Sequence, residues 1–276
     1  MQGPPRQIRV ATTTTYTGSP DRWARFLEDT TPGLSWLAAT LLEWAELPPG
    51  ARRSWRVTVS STRDGDPTAL AALHDQSGLL VVAAAPGQPP PFLGEPERVM
   101  RLLGEPETLD EVFQGQPMLA VRRLPGFRRR VFLYDYDPPI PHPRLRLARA
   151  DEWERLDQLR SESDRDGAGD AADAPDLAGP AQSGHVWLVE DERGPVGMFR
   201  VEGVSRRRVQ MTDLGVHPRA RGRGIGTALM RSAAYVARTE YALGAVLTLP
   251  DDEAATRAAG RAGFVAGGVL DDVRLA

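Results

Sequence analysis

The residues best placed to do chemistry lie in one run, Leu214-Gly215-Val216-His217-Pro218-Arg219-Ala220-Arg221-Gly222-Arg223-Gly224-Ile225-Gly226-Thr227-Ala228-Leu229-Met230. Glycines at 222, 224 and 226 leave the backbone uncovered, so a ligand can come close to its N–H groups. Apolar residues then recur at helical spacing (Ile225, Ala228, Leu229, Ser232, Ala233, Val236), which predicts an amphipathic helix over about 224–239. The first N–H groups of a helix have no partner inside it. A β-rich stretch, Val209 to Val216, leads into the loop. A strand, a glycine loop and a helix N-terminus in that order make a site for a phosphate or pyrophosphate. Arg221 and Arg223 add positive charge beside it.

Several anion-binding loops share this physics. A dinucleotide-binding G-x-G-x-x-G fits Gly222 and Gly224 but requires glycine where Thr227 stands. A Walker A loop requires lysine, and the chain contains none. The run resembles the Arg/Gln-x-x-Gly-x-Gly/Ala acetyl-CoA signature of the GNAT superfamily of N-acyltransferases, with Arg221, Gly224 and Gly226 at its fixed positions. Val216-His217-Pro218 resembles the strand end before it. Asp252-Glu253-Ala254-Ala255 followed by Gly263-Phe264 resembles the family's last helix. The resemblance implies acetyl transfer from acetyl-CoA to a primary amine of a small molecule or peptide, by direct attack and without a metal. A non-catalytic acyl-CoA-binding or regulatory protein is the alternative.

The resemblance also implies site residues. Leu214 and Val216 should contact the pantetheine arm. Arg221, Gly222, Arg223, Gly224, Ile225, Gly226 and Thr227 should hold the pyrophosphate. Asp252 stands where the family usually has asparagine, and Ala259 where it often has the tyrosine that protonates the departing thiolate. Tyr235 and Tyr241 are the alternative acids. Asp213, Glu202 and His217 are the candidate bases.

Composition narrows the remaining classes. Net charge is −3 and the pI about 5.9, which argues against nonspecific nucleic-acid binding. With no cysteine there is neither a thiolate nucleophile nor a Cys-ligated zinc, and the four histidines are scattered, so no metal site is expected. The first residues lack the apolar stretch of a signal peptide, and no apolar run reaches membrane-spanning length, so a cytoplasmic protein is expected. Oligomeric state is not written in the sequence. Five aspartates between 163 and 184 would attract a cationic acceptor, or simply solvate a loop.

The elements that must position these residues read as an α/β (α+β) fold of two GNAT-like domains, each a mixed, mostly antiparallel sheet flanked by helices. In the second half the pattern predicts a strand at 144–149 and a helix through Leu159 opened by an Asp151/Glu154 capping box. Strands follow at 185–190, 195–203 and up to Val216, then the loop and helix, a strand at 245–249, a helix at 252–262 and a hairpin over 264–275. The first half repeats this order without the motif: a strand at 8–12, helices at 21–28 and 35–46, strands at 54–60, 68–74 and 79–85, a helix near 95–103, and strands at 118–123 and 131–136. It resembles a degenerate GNAT domain; an unrelated α/β domain is the alternative. Its counterpart loop carries Pro89-Pro90-Pro91, which donate no N–H, and Glu95 and Glu97 lie where a phosphate needs positive charge. The expected division is a first domain over 1–137 without a CoA site, a proline-rich linker over 138–143, and an N-acetyltransferase domain over 144–276.

Overall fold

The computed structural model describes residues 19–46, 55–62, 64–91, 95–164 and 184–276. Two helices come first, α1 (Pro20–Thr30) and α2 (Ser35–Glu46). Proline at the first position and Asp21 in the first turn suit the start of α1, and Trp23, Phe26 and Leu27, spaced i, i+3, i+4, form its buried face. Strands β1 (Trp55–Ser61), β2 (Pro67–His74), β3 (Leu79–Ala84) and β4 (Arg101–Gly104) follow, then α3 (Pro106–Gly115), the single turn α4 (Pro117–Ala120) and β5 (Phe127–Tyr134). The second half runs β6 (Leu145–Leu147), α5 (Trp153–Asp164), β7 (Val186–Asp191), β8 (Gly194–Val204), β9 (Arg208–Val216), α6 (Ile225–Glu240), β10 (Gly244–Pro250), α7 (Glu253–Ala262) and β11 (Val265–Arg274).

All eleven strands among the described residues belong to one sheet, ordered β1-β2-β3-β4-β11-β5-β10-β9-β8-β7-β6. Matching β1–β5 with β7–β11 makes the order read the same from either side, except for the extra edge strand β6. Within that match β3 pairs parallel to β4, and β9 parallel to β10. The other strand pairs are antiparallel. The two halves therefore repeat one strand order, and the repeat exchanges its last strands: β5 of the first half lies between β10 and β11, and β11 of the second half between β4 and β5.

Arginine–aspartate pairs hold the exchange. Asp272 on β11, 3% exposed, accepts a two-pronged contact from Arg101 on β4, whose Nε lies 2.6 Å from Oδ1. Asp271 accepts from Arg128 on β5 at 2.8 and 3.1 Å.

One face of the sheet carries α1, α2 and α5, the other α3, α4, α6 and α7. Leu34, Leu37 and Leu41 pack with Val81, Val131, Val246 and Leu270, so the first-half helices cover strands of both halves. The buried Glu28 of α1 accepts hydrogen bonds from the Ser205 hydroxyl and from Arg207 N (3.0 Å) in the β8–β9 turn. On the opposite face Phe199, Met211, Leu229, Ala233, Val236 and Leu247 form the core beneath α6.

Five expectations need correction. The segment 95–103 is a 3-10 turn (Pro96–Arg98) followed by β4, because Pro96 permits a turn and Leu102 is needed in the sheet core. The segment 118–123 holds the helical turn α4 rather than a strand, with Leu119 buried. A helix over Pro106–Gly115 was hidden by its short apolar stripe of Leu109, Val112 and Phe113. The box opening the 150–164 helical segment is made by Glu152, whose carboxylate accepts from Arg149 N at 2.8 Å, not by Asp151 and Glu154. The final segment is one long strand, not a hairpin, since β5 fills the place a returning strand would take. The strand expected at 8–12 and the acidic stretch 165–183 lie outside the described residues.

Candidate active site

The site begins where two parallel strands part. β9 and β10 are in register from Arg208↔Gly244 to Met211↔Leu247 and pair no further. Above that point each keeps a different partner. β9 stays with β8 through Gly197↔Val216, and β10 stays with β5 through Pro250↔Arg129. A bulge in β9 at Asp213–Leu214, with Asp213 at φ 51, swings the upper strand toward β8. The facing edges of Thr212–Val216 and Thr248–Pro250 thus hold backbone N–H and C=O groups outside the β9–β10 ladder, on either side of a V-shaped gap.

At the top of the gap, β9 runs through a 3-10 turn (Pro218–Ala220) into the glycine loop and α6. Gly222 and Gly224 have φ values of 71 and 81, where an L side chain is strained. A Cβ at either would meet nothing within 4 Å, and one at Gly226 would reach only Val216 Cγ2 at 3.8 Å. Among the described residues, no N–H of 222–227 donates to a backbone carbonyl, while Ala228 N begins the helical ladder by donating to Gly224 O. Gly224 provides no side-chain cap. Open space, free N–H groups and a helix N-terminus fit a pyrophosphate.

The arginines divide their work. Arg221 braces the loop, donating to Ser163 O at the end of α5 (2.7 Å) and to Val216 O (3.3 Å). Arg223 and Ile225 line a 250 Å³ pocket with His142, Arg144 and Glu190. Gly224 and Thr227 line a 660 Å³ groove with Ile140, Pro141, Arg231 and Arg261. Asp252 caps α7, accepting from Ala255 N at 2.7 Å, which aspartate does as well as asparagine.

The three candidate bases occupy different environments. His217 Nδ1 accepts from Arg219 N at 3.1 Å, which leaves Nε2 to carry its proton 2.9 Å from Glu162 Oε2. That tautomer makes His217 a brace between the turn and α5. Asp213 is 2.7 Å from Arg200 Nε. Glu202 is the extra residue of a bulge in β8, 3.7 Å from Arg200 Nη2. A third of its side-chain surface (33%) meets solvent. Burial pushes its pKa above the usual glutamate value, and the Asp213 charge adds to this, against the pull of Arg200 and Arg129. Solvent access combined with a raised pKa suits a group that takes up protons.

Ala259 is fully buried in the core beneath α6, and a tyrosine there would have no room. Tyr235 packs against the same core, and Tyr241 stands at the far end of α6 from the loop. By the helical rise Tyr241 is about 26 Å from Gly224.

Sequence reasoning missed Arg200, Gln210, Thr248 and Arg129. Gln210 Nε2 donates to Thr248 Oγ1 (2.7 Å) near the base of the gap. No local motif marks these residues, and Arg129 reaches the neighbourhood only through the strand exchange.

Residues 149–264 match the Acetyltransferase (GNAT) family. Residues 149–264 carry a GNAT domain. Similar solved structures cover most of the chain, both halves included. A Drosophila protein is 12% identical with a TM-score of 0.62, covering 93% of this chain and 95% of its own. A GCN5-related N-acetyltransferase from Sphaerobacter thermophilus is 14% identical at TM-score 0.54, covering 85% and 84%. One from Kribbella flavida is 16% identical at TM-score 0.53, covering 94% and 96%. At these identities the likeness is one of fold. No protein of curated function matches the sequence. The family points to acyl transfer. Among the described residues no cluster of His, Asp and Glu could hold a metal, and no helix is long and apolar enough to cross a membrane.

Proposed function

We propose that this protein is an N-acetyltransferase that uses acetyl-CoA and moves the acetyl group to an amine of a small molecule or peptide. The observation that carries the reading is the β9–β10 gap ending directly at an uncapped glycine turn. The N–H groups of 222–227, with Arg223, would hold the pyrophosphate. The parted edge of β9 around Leu214–Val216 would pair with the amide-bearing arm and offer N–H groups to the acyl oxygen. Glu202 accepts a proton from the acceptor ammonium, and holding the free amine beside the acyl carbon supplies most of the remaining gain. The departing thiolate takes its proton from water, since Ala259 provides no acid.

We assign residues 1–137 as a degenerate GNAT-like domain, 138–143 as the linker and 144–276 as the acetyltransferase domain, with the cosubstrate bound only in the second half. Several features of the first half support the asymmetry. β3 and β4 stay paired to the end of β4, at Val82↔Gly104, so no gap opens. The 3-10 turn Pro96–Arg98 stands where α6 stands in the other half. Glu95 is engaged by Arg56 (3.0 Å) and Arg98 (2.8 Å).

Titration calorimetry with acetyl-CoA, followed by thiol release on an amine panel, tests the reading. The expected results are one cosubstrate per chain and turnover with at least one amine. A stoichiometry of two refutes the asymmetry. Binding without turnover on any amine leaves the acyl-CoA-binding alternative in its place.

A further inference from the structure

Two charged groups flank the strand gap on the face covered by α1 and α2, and neither has a full partner. On one side is Glu202 of β8, with Arg200 3.7 Å away and itself committed to Asp213 at 2.7 Å. On the other side is Arg129 of β5. Val131 and Leu133, at the same parity on β5, pack with α1 and α2, so Arg129 shares their face. Its Nε lies 3.8 Å from Asp272 Oδ2, too long for a hydrogen bond, because both oxygens of Asp272 are already taken by Arg101. Among the described residues the Arg129 guanidinium makes no hydrogen bond, and its side chain is 37% exposed.

Charges elsewhere in this neighbourhood cancel. Arg200 answers Asp213 and Arg101 answers Asp272, which leaves one anion, Glu202, and one cation, Arg129, within electrostatic reach of each other. Between them, Gln210 and Thr248 bridge β9 and β10 near the point where the strands part. Gln210 is 1% exposed, and its Oε1 has no hydrogen-bond partner. Whichever way that amide is turned, one of its ends is unsatisfied, and a buried polar group left so is destabilising unless something pairs with it.

We propose that the acceptor is a small amino acid, bound with its ammonium at Glu202 and its carboxylate at Arg129, the Gln210–Thr248 bridge meeting its remaining polar hydrogens. This rests on the acyl-transfer reading above. The first half then contributes to the site a specificity-determining residue, delivered by the exchanged strand β5. The step balances simply. Glu202 takes one proton from the ammonium and passes it to solvent. The free amine forms a C–N bond to the acyl carbon as the C–S bond breaks, the nitrogen sheds a second proton, and the thiolate takes one up. The products are the N-acetylated amino acid, the free thiol and one released proton.

The test compares matched acceptors at equal free-amine concentration: glycine, glycinamide and methylamine, then alanine, alaninamide and ethylamine. A charged hydrogen bond gained by the carboxylate predicts kcat/KM higher by roughly ten-fold or more for the amino acids. Arg129→Gln should erase that preference, mainly by raising KM for the amino acids, while the acetyl-CoA affinity and the rates with amides and plain amines stay within a few fold. Arg129→Lys should keep part of the preference. The proposal is overturned if amides or plain amines match the amino acids, or if Arg129→Gln slows all acceptors alike. Failure of acetyl-CoA to bind, or of any acceptor to release thiol, would instead bring down the acyl-transfer reading and this proposal with it.

Discussion

Gly224 offers the sharpest test of the phosphate site. Its φ is +81 and a Cβ there meets nothing within 4 Å, so Gly224→Asp costs the fold only the left-handed strain, about 1 kcal/mol. Gly224→Asn carries the same strain and nearly the same shape without the charge. The comparison of the two therefore isolates electrostatics. One carboxylate charge about 5 Å from one phosphate charge, at an effective dielectric near 20, opposes binding by about 3 kcal/mol. The loop is open to solvent, which cuts that by about half. Affinity for acetyl-CoA should fall roughly ten- to hundred-fold from Asn to Asp, and the gap should narrow as salt is raised. Calorimetry at two ionic strengths, with circular dichroism to confirm the fold, gives the result. Equal affinities for the Asp and Asn variants would show that no phosphate sits at this turn.

Other substitutions probe the rest of the argument. Glu202→Gln should lower turnover by roughly 100-fold or more, and the wild-type kcat/KM should climb with pH through an apparent pKa above that of ordinary glutamate. The same substitution should raise Tm. A carboxyl whose folded pKa is raised carries no penalty below its unfolded value and a full one above its folded value. The Tm gain should therefore be present at pH 7 and vanish near pH 4, and a variant that is less stable at pH 7 contradicts the assignment. Ala259→Tyr, which would install the hydroxyl common in the family, should destabilise by about 1–3 kcal/mol because the site is fully packed; chemical denaturation measures this, and a neutral result would mean hidden space. Asp272→Ala should cost about 1–3 kcal/mol by removing the two-pronged contact with Arg101 across the exchanged strand, and a denaturation midpoint unchanged from wild type would show that the pair does not hold the exchange.

Local chemistry made a large part of this protein readable from its residues. Gly222 and Gly224 mark a turn whose left-handed backbone favours glycine, and the stripe from Ile225 to Val236 fixes the helix behind it. Strand signals, an unbroken apolar run for β3 among them, located β1, β2, β3, β7, β8, β9 and β10 to within a residue or two. Such signals survive in one sequence because each depends on neighbours a few residues away. Where the pairing partner is far along the chain, the residues are silent. Leu102 and Leu103 read as part of a helix, and become a strand because β11 and β3 lie on either side of them. The run 264–275 looks like a hairpin, and becomes one strand because β5 occupies the return path. Asp213 and Glu202 looked like equivalent acids. The bulges and Arg200 separate them, tying up Asp213 at 2.7 Å and leaving Glu202 3.7 Å from the guanidinium. Arg129 carries no local sign of a role. It comes beside the gap only when two strands of different halves exchange places, since hydrogen-bonded pairing across more than a hundred residues is decided by the whole sheet and not by any stretch of it.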